Sequence, residues 1–101
     1  MARRGKNFYR GIDFTPPTAA ATAARRALDR RQLANRQGLS PATIDRMISY
    51  FARHQVDKQG SSWGSYGKGR QAWDGWGGDP GAAWARSVAK RMDAAERRAA
   101  K

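Results

Sequence analysis

The stretch Leu39-Ser40-Pro41-Ala42-Thr43-Ile44-Asp45-Arg46-Met47-Ile48-Ser49-Tyr50-Phe51 decides the fold of this chain. Ser40 sets a capping hydroxyl in front of Pro41, which sits at the first helical position, where a missing N–H leaves no hydrogen bond unmade. Ile44, Met47, Ile48 and Phe51 then fall at i, i+3, i+4 and i+7, so they line one face of a helix. Asp45, Arg46, Ser49 and Arg53 occupy the other faces. The spacing predicts a helix from residue 41 to about 54–56, and its apolar stripe needs a partner.

Upstream, residues 1–18 read as a basic arm. Arg3, Arg4, Lys6 and Arg10 are interleaved with Phe8, Tyr9, Ile12 and Phe14, and Thr15-Pro16-Pro17-Thr18 bars any helix from running through. Thr18 can cap the next helix. Residues 19 to about 37, rich in Ala, Leu, Arg and Gln, predict one helix, with Gly38 closing it in a left-handed conformation. Its apolar face is thin, made of Ala20, Ala24, Ala27, Leu28 and Leu33. It is expected to present charge more than to fill a core.

Downstream, residues 59–78 mix seven glycines with Trp63, Tyr66, Trp73 and Trp76. That is too glycine-rich for one regular element and too aromatic for a disordered linker. A loop over residues 60–67 folds across the core, and a short helix over 68–76 brings Trp73 and Trp76 onto one face. Asp79-Pro80 repeats the pattern of a cap followed by proline and opens a last helix, in which Trp84, Val88 and Met92 recur every four residues. From residue 94 the pattern frays.

With no alternating strand run, these segments predict an all-α fold, a small bundle of three to four helices with a basic N-terminal arm and a Gly/Trp-rich loop. The expected division is an arm at 1–18, a helical domain at 19–93 and a basic tail at 94–101. The core is expected to hold Leu28, Leu33, Leu39, Ile44, Met47, Ile48, Phe51, Trp73, Trp76, Trp84 and Val88. Each large side chain buried there contributes about 1.5–3 kcal/mol.

Charge bounds the function. Twenty Lys and Arg against eight Asp and Glu leave +12 on 101 residues, a composition that attracts polyanions. Residues 1–36 alone hold nine basic residues against Asp13 and Asp29, a net of +7. No cysteine and a single histidine exclude a disulfide framework and a thiolate or histidine-rich metal site. No apolar run reaches the roughly 20 residues of a membrane span, and the basic start lacks the apolar core of a signal peptide. A reducing cytoplasm or the interior of a virion is the expected setting.

The ordered combination of Ala24-Arg25-Arg26-Ala27-Leu28, Leu39-Ser40-Pro41-Ala42-Thr43-Ile44, the run Ser49-Tyr50-Phe51-Ala52-Arg53-His54-Gln55-Val56-Asp57-Lys58, Gly69-Arg70-Gln71-Ala72-Trp73 and Trp76-Gly77-Gly78-Asp79-Pro80-Gly81-Ala82-Ala83-Trp84-Ala85 resembles a module of short phage and cyanophage proteins. A similar segment is sometimes joined to phage head-maturation proteins. The resemblance spans residues 24–85 and implies a phage setting without a particular activity. At Asp74-Gly75 the chain departs from the module's more apolar pattern, and the lead-out of its first helix is short.

Candidate chemistry is sparse. His54, Asp57 and Lys58 invite an acid–base reading, but a lone histidine at a helix C-terminus is better explained by the exposed carbonyls, with Asp57 either holding its ring or capping the following turn. Gly64, Gly67 and Gly69 lack the preceding strand and the Lys-Ser or Lys-Thr ending of a phosphate loop. Asp79 is expected to satisfy the N–H groups that open the last helix. No catalytic residue, metal or cofactor is therefore assigned.

The expected nucleic-acid-binding residues are Arg3, Arg4, Lys6, Arg10, Arg25, Arg26, Arg30, Arg31, Lys68 and Arg70. Trp63 and Tyr66 are candidates for base stacking. The preferred reading is a non-enzymatic phage-type accessory protein that binds DNA or RNA mainly through phosphates. The helix at residue 41 could extend this as a recognition element of a helix-turn-helix. The alternative is a virion or capsid assembly component whose basic arm docks on acidic protein or packaged genome.

Overall fold

The computed structural model describes residues 3–27 and 31–100, and of Ala27, Arg31 and Gln32 the backbone alone. The fold is all-α. A 3₁₀ turn, Lys6–Tyr9, precedes α1 (Thr18–Ala27), α2 (Arg31–Ala34) and α3 (Pro41–His54), which runs on into a 3₁₀ turn at Gln55–Gln59. α4 (Lys68–Gly75) and α5 (Gly78–Ala99) complete it. Among the described residues there is no strand, and no helix is long and apolar enough to cross a membrane.

α3 forms as its sequence dictates. The Ser40 hydroxyl accepts from the Thr43 N–H at 3.1 Å, and Ile44, Met47 and Phe51 are buried, with Ile48 packed at the margin. Tyr50, outside the predicted stripe, is buried too. It stacks on Trp76 at 5.2 Å and on His54 at 4.5 Å, while Phe51 meets Trp73 edge-on at 4.7 Å. α3 and α5 pack against each other, and α1 lies across α4 and α5. The loop over residues 60–66 folds onto this core through Trp63, edge-on to Trp73 at 5.9 Å. Trp73 alone of the predicted tryptophans is fully buried; Trp76 and Trp84 flank the core half-buried. The predicted core residue Leu28 lies outside the described residues.

Four expectations are corrected. Residues 3–18 do not stand apart as an arm: Tyr9 is 1% exposed and Phe14 6% exposed, both within the core. Aromatic rings of that size bury too much apolar surface to be left in water when a bundle face is open to them.

The first helix is not continuous to residue 37. Arg25 donates to the Ala34 carbonyl at 2.8 Å, whereas a straight helix would part those residues by roughly 13 Å, so α2 folds back on α1. Arg36, not Gly38, takes the left-handed conformation (φ 53°). Its N–H bonds Leu33 and its guanidinium donates to the Pro16 carbonyl at 3.0 Å.

α1 also contributes more to the core than expected. Ala20, Ala21, Ala23 and Ala24 are all buried, and their small side chains let α1 approach the glycines that open α5.

Residues 94–99, lastly, are not a frayed tail. α5 continues to Ala99, held near its end by Met92, Ala95 and the contacts of Glu96.

Candidate nucleic-acid interface

The placement of the acidic residues determines which cations remain available. Arg3 is enclosed, its side chain 14% exposed. Its Nε donates to Asp45 at 3.1 Å and its Nη1 to Asp93 at 2.6 Å and to Glu96. Burial works against its charge, but the three carboxylates outweigh that and hold the guanidinium even more firmly protonated than usual. Tyr9 completes the cluster, its hydroxyl donating to Glu96 at 3.2 Å and accepting the Arg4 N–H at 3.1 Å. Arg3 is therefore a structural clamp between the N-terminal segment, α3 and α5. Its assignment as a phosphate contact is corrected, since its donors are spent on carboxylates.

The remaining described acids are also occupied within the chain. Asp13 accepts from the Thr15 N–H at 2.8 Å, which holds it below the usual aspartate range. Asp57 holds the His54 ring at 3.0 Å, as the sequence suggested.

Asp79 does not cap α5. Its carboxylate takes Lys58 at 2.7 Å and the indole N–H of the buried Trp73 at 2.9 Å, because a buried indole N–H needs an acceptor. The Lys58 bond, against the opposing effect of partial burial and aided by Trp73, holds Asp79 below its ordinary value. Asp74, 8% exposed, accepts from the Tyr66 hydroxyl at 2.9 Å and lies 3.7 Å from Arg26. Burial, then this hydrogen bond, pushes the Tyr66 phenol up.

The cations are placed the other way. Among the described residues, the Lys and Arg side chains within 4 Å of a carboxylate are Arg3, Arg26 and Lys58 alone. Arg4, Lys6, Arg10, Arg25, Arg26 and Lys68 are exposed. Arg4 lies over Phe8 at 5.2 Å and Lys6 over Phe14 at 5.8 Å, so the aromatics that anchor the N-terminal segment also steady its charges. Arg25 is braced by Ala34 and Thr22. Arg70 is half-buried over Tyr66 at 5.4 Å and Trp63 at 6.0 Å. Arg30 and the side chain of Arg31 lie outside the described residues.

Two further sets of exposed cations extend this surface. Arg46 and Arg53 stand seven apart on the outer face of α3, with exposed Ser49 between them. Arg86, Lys90 and Arg97 share a stripe of α5 at i, i+4 and i+11. Helical spacing was the signal for the latter set, and it is visible once α5 is known to run its full length.

One concavity lies beside these charges, a cleft of about 440 Å³ between α1, α4 and the start of α5. Arg26, Arg70, Trp63, Asp74, Gly78 and Asp79 are among its walls. Of the two rings proposed for stacking, Trp63 lines the cleft, whereas Tyr66 is anchored by its bond to Asp74. The glycines nearby serve the turn: a Cβ at Gly67 would fall 2.6 Å from the Ser62 hydroxyl, so only glycine admits this approach. No protein-family model matches the chain, and no curated protein or solved structure matches it.

Proposed function

We propose that this chain binds DNA or RNA mainly through phosphate contacts, without catalysing a reaction, as an accessory protein in a phage setting. One observation carries the binding: every described carboxylate is engaged within the fold, three of them on Arg3 alone, while most of the described basic residues are exposed and lie in no ion pair among the described residues. A surface of that kind is neutralised by a polyanion through counterion release. Its cations lie on several faces, which favours backbone contact over base reading. The phage setting rests on the resemblance of residues 24–85.

The test is binding to duplex DNA, single-stranded DNA and RNA across a salt series. Five phosphate contacts give a slope of log affinity against log salt of about −4.5 on duplex. Arg25→Glu with Arg26→Glu is expected to lower affinity at least tenfold and flatten the slope, with helicity unchanged. Absence of binding at low salt overturns the proposal and shifts attention to an acidic protein surface.

A further inference from the structure

We propose that the cleft between α1, α4 and the start of α5 receives one unpaired nucleobase, so that the protein prefers single strands to duplexes. This rests on the nucleic-acid reading above and deepens it. The cleft's volume, about 440 Å³, lies within the roughly 300–1,000 Å³ of small-ligand sites.

The walls carry both signs: Arg26 and Arg70 stand with Asp74 and with Asp79, which Lys58 already pairs. A free phosphate would meet two carboxylates there, and a free cation two guanidinium groups. A flat, neutral group bearing both donors and acceptors matches both signs at once, and a nucleobase edge is such a group.

The polar groups at the cleft have capacity to spare. Among the described residues, Asp74, nine-tenths buried, receives one hydrogen bond on its carboxylate, from Tyr66, and Arg26 at 3.7 Å is beyond hydrogen-bond distance. Arg70 makes one hydrogen bond among the described residues, to the Trp63 carbonyl at a long 3.4 Å, and otherwise lies over the Tyr66 and Trp63 rings. Trp63 supplies the aromatic wall, on which any base can stack. Arg25, exposed on α1, donates to Thr22 of the cleft wall at 3.3 Å, close enough to offer its charge to a flanking phosphate. A base paired inside a duplex reaches such a cleft only after unstacking, at a cost of a few kcal/mol, which is the origin of the preference.

The experiment compares a single-stranded oligonucleotide with an abasic one of equal length and charge, and with a duplex, all at one salt concentration. The intact strand is expected to bind at least tenfold more tightly than the abasic strand and to quench tryptophan fluorescence. Ala19→Phe changes no charge and fills the exposed rim of the cleft; it is expected to bring the intact strand down to the abasic level, with folding verified by circular dichroism. Equal binding of intact and abasic strands overturns the inference while leaving the phosphate reading in place. Base-dependent binding that Ala19→Phe does not touch also overturns it, by putting the base elsewhere. Failure of all three nucleic acids to bind overturns the phosphate reading itself.

Discussion

The guanidinium of Arg3 donates to the carboxylate of Asp93 at 2.6 Å, joining residues ninety positions apart in sequence. With Asp45 and Glu96 on the same group, this arginine contributes to the fold and not to the binding surface. Arg3→Gln is expected to lower stability by about 1–3 kcal/mol, between the effects of breaking an exposed and a buried ion pair, because its partners are partly exposed. Urea denaturation measures this. Affinity for nucleic acid should fall no more than loss of one distant charge requires, and a large fall in affinity with unchanged stability would return Arg3 to the interface.

Tyr9 tests the docking of the N-terminal segment. Tyr9→Ala removes a ring that is 1% exposed and is expected to cost about 3–5 kcal/mol. Tyr9→Phe keeps the ring and loses only the hydroxyl contacts to Glu96 and the Arg4 N–H, so about 1 kcal/mol is expected. Equal and negligible losses in both variants would show the segment to be detached in solution.

Gly77 tests the junction of α4 and α5. Its φ of 108° is hostile to any L side chain, and a Cβ there would lie 3.0 Å from the Gly81 Cα and 3.4 Å from the Ala20 Cβ. Gly77→Ala is expected to destabilise by about 1–3 kcal/mol, seen as a lower Tm. An unchanged Tm would mean that the turn does not hold this left-handed conformation against α1.

Asp79 makes stability depend on acid. Its pKa is lowered in the folded state by Lys58 and Trp73, so the carboxylate binds protons less readily folded than unfolded. Its contribution is complete above the ordinary aspartate value of 3.8 and is lost as pH falls through the lower, folded value. The Tm difference between the native chain and Asp79→Asn should therefore be largest near neutrality and shrink below about pH 4. A difference that grows with acid would reverse the assignment.

Helix α3 was legible because cap, proline and apolar period agree within one short window, and the folding of the loop at residues 60–67 across the core followed from the need to bury its rings. The N-terminal segment was misread for an identifiable reason. Phe8, Tyr9 and Phe14 follow no helical or strand period, and their burial is decided by a groove built from residues far along the chain. The reversal between α1 and α2 is equally hidden, since no glycine or proline lies within residues 18–34.

Of the interface, the supply of cations was readable as composition, and their release from acidic partners was not. Asp45, Asp93 and Glu96 stand 42 to 93 positions from Arg3, and no local pattern announces pairing over such separations. Trp63 was identified from its basic neighbourhood, but the cleft it lines requires α1 and α5 to be in place.

The clamp at Arg3 bears on the order in which the molecule assembles. A contact spanning ninety positions gives no local advantage early in folding, when the intervening chain is still loose. On a ribosome, Arg3 and Tyr9 emerge before the last turns of α5, so their bonds to Asp93 and Glu96 must wait for those turns to follow. A segment made ahead of its partners is thus secured only when they arrive.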